Sequence, residues 1–161
     1  MDILLNCIPQ IKQELNDFIV IVAGECYEKT EKYYNIIEKL KIQDLVDLRL
    51  KFIPDNEVTE YFSAADVVAL PYRAATQSGI TQIAYNFNRP VIVSDVGGLA
   101  EIAPNGKVGY VVKPQSEYFA KAIIKFFTED KFEEFSKNVE TQKQLFSWGK
   151  FVDNLMELGS K

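Results

Sequence analysis

The segment 76–82, Thr-Gln-Ser-Gly-Ile-Thr-Gln, has the residue types and the position best suited to bind a ligand. It follows an apolar run at residues 66–72 that is typical of a strand, and it leads into residues 80–87, which have helical spacing. A small, hydroxyl-rich turn between a strand and a helix leaves backbone N–H groups without partners, and the helix dipole adds positive charge there. The sequence therefore predicts a phosphate site at this turn.

A second turn of the same kind, residues 94–99 (Ser-Asp-Val-Gly-Gly-Leu), follows the next predicted strand. Two such turns on neighbouring strand–helix units favour a nucleoside diphosphate over a single anion. A tight turn that needs a positive φ would also explain Gly97 and Gly98, because glycine adopts that conformation without steric cost. Ligand contact and turn geometry are therefore alternative explanations of these two glycines.

The composition argues against several classes of function. The chain has 161 residues, a net charge of −5 and no basic run, so neither nucleic acid nor an anionic membrane surface is an expected partner. It has no histidine, which removes Ser-His-Asp and Cys-His catalysis and most zinc sites. Its two cysteines, Cys7 and Cys26, have no metal-ligand spacing, and there is no Asp-x-Asp cluster. We therefore expect no metal site.

The same features predict a cytoplasmic location. No apolar run reaches the roughly 18 residues that a membrane span needs. The N-terminus lacks the basic and apolar regions of a signal peptide. Two cysteines without a disulfide framework fit a reducing compartment.

Apolar periodicity predicts strands that alternate with helices. Pro9 is expected to kink or interrupt the first helix. The continuous apolar run at residues 18–24 predicts a fully buried strand. The predicted helices are 4–15, 28–40, 55–65, 80–87, 99–103, one that Ser116 caps, 132–139 and 142–158; the predicted strands are 18–24, 46–53, 67–70, 90–94 and 109–112.

This order predicts an α/β fold of the Rossmann-like kind, a parallel sheet with helices on both faces, in a single domain over residues 1–161. The chain enters directly into helical spacing with no strand before it, so we expect a fragment of a longer protein. On such sheets ligands bind beyond the carboxyl ends of the strands, where residues 24–25, 52–54, 72–81 and 94–99 are predicted to lie.

At these turns the sequence becomes recognisable. The motifs at residues 62–72 (Phe-Ser-Ala-Ala-Asp-Val-Val-Ala-Leu-Pro-Tyr), 90–99 (Pro-Val-Ile-Val-Ser-Asp-Val-Gly-Gly-Leu) and 106–114 resemble the C-terminal half of a retaining, family-4-type glycosyltransferase of the GT-B fold. The resemblance runs from the first helix to the aromatic segment around Phe146 and Trp148. Residues 78–82 also resemble the Gly-Leu-Thr-Gln turn of glycogen and starch synthases.

The resemblance implies a nucleoside diphosphate sugar as donor substrate, with no other cofactor. It implies an acceptor glycan or lipid-linked glycan held by a missing N-terminal domain. It also implies a role of the full-length enzyme in cell-surface polysaccharide or glycan synthesis, at the inner face of the membrane. Catalytic residues are not identified. The implied donor-site residues are Gly24 and Glu25 in the nucleotide cleft, Phe52 and Ile53 at the base, Ser78, Gly79, Ile80 and Thr81 at the diphosphate, and Thr76 and Gln77 at the sugar.

The sequence also departs from the family pattern. The family commonly carries two glutamates eight positions apart, which fall here near Thr76 and near Ile83 or Ala84, and neither position is acidic. Gln82 is a candidate for the ribose instead. The family also places one basic residue before the first helix and another after the second strand, both facing phosphate. The first position would precede Met1. Arg73, which comes from a different turn, is the nearest candidate for the second.

Three alternatives stay open. The loss of both carboxylates allows a non-catalytic nucleotide-sugar binder, and the fold class allows a flavodoxin-like signalling domain or a sugar-nucleotide epimerase. A signalling domain would need an acidic cluster at the strand ends. Glu25 and Asp95 are the acidic residues there, and two are too few to form such a cluster. An epimerase normally uses acid–base side chains, often histidine, which this chain lacks. We expect the chain by itself to bind nucleotide weakly and to turn over no acceptor.

Overall fold

The computed structural model describes residues 1–146 together with Val152 and Met156. Within this part of the chain, strands and helices alternate as predicted. The strands are β1 (Val20–Ala23), β2 (Val46–Arg49), β3 (Val68–Leu70), β4 (Val91–Ser94) and β5 (Gly109–Val112). The helices are α1 (Asp2–Glu14), α2 (Glu31–Leu40), α3 (Asp55–Ala64), α4 (Gly79–Asn86), α5 (Leu99–Ile102), α6 (Ser116–Thr128) and α7 (Phe132–Gln142), with 3₁₀ turns at Gln43–Leu45 and Lys143–Phe146.

All strand pairs are parallel, but the strands form two sheets rather than one. β1 pairs with β2 in the register Val20 to Val46. β4 lies between β3 and β5, with Val91 opposite both Val68 and Gly109. β1 and β3 do not pair, so the expectation of a single continuous sheet is wrong for the described residues, although the α/β class with parallel strands is confirmed.

Helices cover both faces of the three-stranded sheet, as predicted. On β4, Ile92 packs in a cluster with residues of α1 and α6. Its neighbours Val91 and Val93 point the other way and pack in a cluster with α4 and α5. This alternation follows from the two-residue period of a strand and explains why β4 is buried along its whole length. No helix within the described residues is both long and apolar enough to cross a membrane.

Two local expectations differ from the structure. β1 was expected to be fully buried, but Ile19 is 59% exposed and Ile21 is 42% exposed, because α1 and α2 cover only the face that carries Val20 and Val22. α1 continues through Pro9 from Asp2 to Glu14, with buried apolar residues on both sides of the proline. The lost hydrogen bond of one proline is therefore outweighed by the burial of this helix face.

The remaining differences concern the ends of elements. α2 begins at Glu31 rather than at residue 28, β2 ends at Arg49 rather than at residue 53, and Ser116 is the first residue of α6 rather than its cap. The predicted closing helix, residues 142–158, and the packing of Trp148 lie largely outside the described residues. Of that helix, Val152 and Met156 are described, and both are helical.

Candidate functional site

The turn between β3 and α4 presents two backbone N–H groups at the start of a helix. Ser78 has extended backbone angles before the first helical residue, and its side chain does not cap the helix. Among the described residues, the N–H groups of Gly79 and Ile80 donate to no protein acceptor, whereas the N–H of Thr81 donates to the carbonyl oxygen of Ser78 at 3.2 Å. The helix dipole places partial positive charge at these two amides, so the turn can accept an anion.

Side-chain exposure separates the residues of this turn into two groups. Thr76, Gln77, Gly79 and Ile80 are exposed, and a Cβ built on Gly79 would have no atom within 4 Å. The other group faces inward: Ser78 is 8% exposed and Thr81 is 1% exposed, while Gln82 is half-buried.

Of the two inward hydroxyl groups, that of Ser78 has a partner in the protein and that of Thr81 has none. The hydroxyl group of Ser78 lies 3.3 Å from that of Tyr72, in the loop that follows β3. Thr81 Oγ1 is buried and has no hydrogen-bond partner in the described structure. The side chains of these two predicted site residues therefore do not face solvent, and an anion at the turn would meet backbone groups first.

The second predicted anion site, residues 94–99, has a different role. Four of its N–H groups donate to carbonyl oxygens of the protein: Asp95 to Val112 at 2.7 Å, Val96 to Ser94 at 2.9 Å, Gly98 to Thr76 at 3.0 Å and Leu99 to Val96 at 3.4 Å. Because these four donors already have acceptors in the protein, the prediction that they are free to bind phosphate is wrong. The turn instead supports residues 75–76 of the first turn.

Close packing explains both glycines of the second turn. A Cβ on Gly97 would lie 1.7 Å from the carbonyl oxygen of Ala75, and one on Gly98 would lie 2.9 Å from that of Thr76. Gly97 also has a φ of 53°, which is unfavourable for most other residues. Turn geometry is thus sufficient to explain Gly97, and the close approach of the first turn explains Gly98.

A buried tyrosine fixes the position of α4. Tyr85 is fully buried, and its hydroxyl group donates to the carbonyl oxygen of Ile102, at the end of α5, at 2.9 Å. Burial raises the pKa of Tyr85, so the phenol stays protonated and keeps this hydrogen bond at any physiological pH. The helix that carries the candidate anion site is therefore tied to the element that follows the supporting turn.

The other predicted site residues lie at the carboxyl ends of β1 and β2. Gly24 has a φ of 129°, and its N–H donates to the carbonyl oxygen of Arg49 at 3.2 Å. Glu25 is exposed and accepts a hydrogen bond of 2.7 Å from Tyr27, which raises the pKa of that phenol. Phe52 is 67% exposed and Ile53 is half-buried. Within the described residues, no hydrogen bond joins this group to residues 76–82.

A cavity of about 520 Å³ lies between the loops that follow β1 and β3, and sequence reasoning did not find it. None of the predicted donor-site residues lines it. The lining residues come from three separate parts of the chain: Met1 and Asp2; Glu28, Lys32, Tyr33 and Ile36; and Pro71, Tyr72, Arg73 and Ala74. The only sequence signal for it was Arg73, which was noted as the nearest candidate for a phosphate contact.

Charged pairs line this cavity. Arg73 Nη2 donates to Asp2 Oδ2 at 2.5 Å, and Glu28 accepts from both Lys32 and Tyr33. Burial would raise the pKa of Asp2, but the hydrogen bond and the charge of Arg73 outweigh it and hold that pKa below its ordinary value. Asp2 therefore stays ionised and keeps Arg73 paired at neutral pH.

No group of three or more His, Cys, Asp or Glu side chains within the described ranges is arranged to hold a metal ion. The chemistry that the described geometry supports is recognition of an anion by main-chain donors at α4.

Several solved glycosyltransferases and a sucrose-phosphate synthase have a similar fold. Sucrose-phosphate synthase from Thermosynechococcus elongatus aligns with a TM-score of 0.78 and 20% identity, over 98% of this chain and 41% of that one. Anabaena HepE in complex with UDP-glucose aligns with a TM-score of 0.77 and 22% identity, over 99% of this chain and 44% of that one. WaaG, a glycosyltransferase involved in lipopolysaccharide biosynthesis, aligns with a TM-score of 0.76 and 20% identity, over 89% of this chain and 38% of that one.

The chain therefore spans less than half the length of these proteins, and at such identities the likeness establishes the fold. A comparison with curated protein sequences returned no match. The family model described as Glycosyl transferases group 1 matches residues 1–129, which is most of the chain. On this evidence, the chain belongs to the glycosyl transferases group 1 family.

Proposed function

We propose that this chain is the donor-binding domain of a retaining, family-4-type glycosyltransferase, and that it binds a nucleoside diphosphate sugar at the carboxyl ends of its strands. The observation that carries the proposal is the pair of unengaged N–H groups, on Gly79 and Ile80, at the start of α4. Family membership and the bound UDP-glucose of the HepE structure support the same ligand class.

In this proposal the two amides bind the diphosphate and assist departure of the leaving group. Transfer of the sugar breaks its bond to the diphosphate and leaves negative charge on the β-phosphate. Fixed N–H donors at a helix N-terminus stabilise such charge without having to reorient during the reaction. The fixed position of α4, held through Tyr85 and the supporting turn, keeps these donors in place.

The other residues of the proposed donor site have less direct support. Phe52 presents an exposed aromatic face that suits a nucleobase, with Ile53 beside it. Gly24 and Glu25 lie at the carboxyl end of the neighbouring strand. Thr76 and Gln77 are exposed beside the amides and would lie nearest the sugar, while Gln82 remains the candidate for the ribose.

The proposed partner of the donor is an acceptor hydroxyl on a glycan or a lipid-linked glycan. A further, N-terminal domain of a longer polypeptide would hold it, and the enzyme would work in the cytoplasm, at the inner face of the membrane where the acceptor is anchored. WaaG, which acts in lipopolysaccharide biosynthesis, supports polysaccharide or glycan synthesis as the setting. The chain of 161 residues would then bind donor weakly and transfer no sugar.

Calorimetry with UDP, GDP, ADP and their glucose conjugates tests this proposal on the chain and on Gly79→Asp. We expect binding that requires the diphosphate and that weakens by at least about tenfold in Gly79→Asp, because the added carboxylate repels phosphate at close range. An aspartate in the first turn of a helix is favourable, and the space around Gly79 is open, so the variant should fold normally.

Asn16→Asp is the matched control, because it adds the same charge at an exposed position before β1, at the opposite end of the strand. It should bind like the unchanged chain. Equal binding of all nucleotides by Gly79→Asp and Asn16→Asp, or no binding of any diphosphate at millimolar concentration, would contradict the proposal.

A further inference from the structure

The carboxylate of Glu101 lies beside the contact between the turn after β3 and the turn after β4. A Cβ built on Gly98 would lie 4.0 Å from Glu101 Oε2 and 2.9 Å from the carbonyl oxygen of Thr76. Gly98 also donates its N–H to that carbonyl oxygen at 3.0 Å. The Glu101 side chain therefore reaches back from α5 to the point where the second turn meets the first.

This carboxylate is not used by the part of the protein that the structure describes. Glu101 is exposed, and no hydrogen bond or salt bridge between the described residues involves its side-chain oxygens. A carboxylate offers two acceptor oxygens, and its hydrogen bonds with hydroxyl donors are short and strong. Glu101 is thus available to accept hydrogen bonds from the hydroxyl groups of a ligand.

The backbone that carries Glu101 is fixed on both sides. Leu99, two residues earlier, is 1% exposed. The carbonyl oxygen of Ile102, the next residue, accepts a hydrogen bond of 2.9 Å from the hydroxyl group of Tyr85. Tyr85 belongs to α4, whose first amides form the candidate anion site, so Glu101 is held in register with that site by packed elements.

The position of Glu101 suits the sugar of a ligand whose phosphates bind at α4. Thr76 comes three residues before Gly79, a separation of at most about 10 Å along an extended chain. A hexose joined to a phosphate has comparable dimensions. The side chains of Thr76 and Gln77 are exposed there and uncharged, whereas Glu101 brings a negative charge to the same end of the site.

We propose that Glu101 is a specificity-determining residue that selects a sugar-bearing nucleoside diphosphate over the bare diphosphate, an inference that rests on the donor-binding function proposed above. A bare diphosphate ends in a phosphate with additional negative charge, which a nearby carboxylate repels. In the sugar conjugate an ester replaces that charge, and the hydroxyl groups of the ring donate to the carboxylate. The same side chain therefore favours the donor and weakens binding of the diphosphate that transfer leaves behind.

Calorimetry on the chain and on Glu101→Gln, with UDP, GDP, ADP and their glucose conjugates, tests the proposal. Glutamine keeps the shape of the side chain and removes its charge, and the exposed position should leave folding unaffected. With the base that binds, the bare diphosphate should bind about threefold tighter to the variant and the conjugate about threefold weaker. The ratio of the two affinities should therefore fall by about tenfold.

Two further variants separate contact with the sugar from a general effect of charge. Glu133→Gln removes an exposed carboxylate from the first turn of α7, which lies beyond the far end of the 13-residue helix α6. It should leave the affinity ratio unchanged within about twofold, because solvent screens so distant a charge. Asp95→Asn removes an exposed carboxylate from the second turn itself and should change the ratio less than Glu101→Gln does.

The possible failures of this inference differ from a failure of the donor-binding proposal. Diphosphate binding with an unchanged ratio in Glu101→Gln would overturn the role of Glu101 and leave the donor site standing. An equal loss of affinity for conjugate and diphosphate would assign Glu101 to the structure of the turn, and an equal change in Asp95→Asn would assign selectivity to the overall charge; either result overturns the inference. Absence of any diphosphate binding by the unchanged chain would overturn both proposals together.

Discussion

The backbone N–H of Gly98 donates to the carbonyl oxygen of Thr76 at 3.0 Å and joins the turn after β4 to the turn after β3. The first turn keeps the N–H groups of Gly79 and Ile80 unengaged, and the second turn contacts the first through the N–H of Gly98. Two similar sequences on neighbouring strands therefore differ in their backbone donors: the first leaves two N–H groups unengaged, and the second engages most of its own within the protein.

Gly97→Ala should be strongly destabilising. Its Cβ would lie 1.7 Å from the carbonyl oxygen of Ala75, and its φ is 53°, so the turn must move. We expect a loss of about 3 kcal/mol in the free energy of unfolding, measured by urea denaturation. Gly79→Ala is the control, since nothing lies within 4 Å of its Cβ, and it should change stability by less than about 1 kcal/mol. Equal stability of the two variants would show that the two turns do not pack as described.

Tyr85→Phe should lower the free energy of unfolding by about 1–3 kcal/mol, because it leaves the carbonyl oxygen of Ile102 without its donor in a buried site. Thermal or urea unfolding measures the difference. The exposed Tyr34 gives a matched Tyr34→Phe control, which should be neutral within about 0.5 kcal/mol. A neutral Tyr85→Phe would mean that the phenol does not hold α4 to α5.

The contribution of the Asp2–Arg73 pair should disappear in acid. The pKa of Asp2 in the folded chain lies below its ordinary value of 3.8, so the pair stabilises the fold above that pH and loses its effect as the pH falls through the folded value. Both side chains are partly exposed, so water screens the pair, and Asp2→Asn should cost at most about 1 kcal/mol at pH 7.

Urea unfolding of the chain and of Asp2→Asn at a series of pH values from 7 to below 3 measures this dependence. The difference between the two should shrink toward zero at the acidic end. Arg73→Gln removes the same pair while keeping the aspartate in the first turn of α1, and so separates the ion pair from the helix dipole. A difference that grows on acidification would contradict the lowered pKa.

The two cysteines should react at very different rates. Cys7 is fully buried, its thiol donates to the carbonyl oxygens of Ile3 at 3.0 Å and Ser116 at 3.1 Å, and burial raises its pKa to about 12. Cys26 is only half-buried, in the loop after β1. Since the thiolate is the reactive form, iodoacetamide at pH 8 should modify Cys26 at least about 100-fold faster than Cys7.

Peptide mass spectrometry over a time course measures both rates. The Cys26→Ser variant should stay almost unlabelled in its native state. Once urea unfolds this variant, Cys7 should become labelled. Equal labelling of both thiols in the native chain would show that α1 does not pack on α6 as described.

Local sequence patterns were sufficient to predict most elements and the main candidate site. The period of apolar residues located the strands and helices, and the small polar segment before α4 predicted the unengaged amides of Gly79 and Ile80, because both signals depend on neighbours along the chain. The resemblance to group 1 glycosyltransferases likewise depended on motifs that are continuous in sequence.

The tertiary structure decided which backbone and side-chain groups have partners. Gly98 and Thr76, or Asp2 and Arg73, meet only through the packing of separate elements, so no local pattern could show that the second turn is engaged or that a cavity lies at Arg73. The division into two sheets is also a long-range property. A strand's periodicity shows which face it buries, but whether each of its edges has a neighbour depends on which strands the whole fold brings beside it.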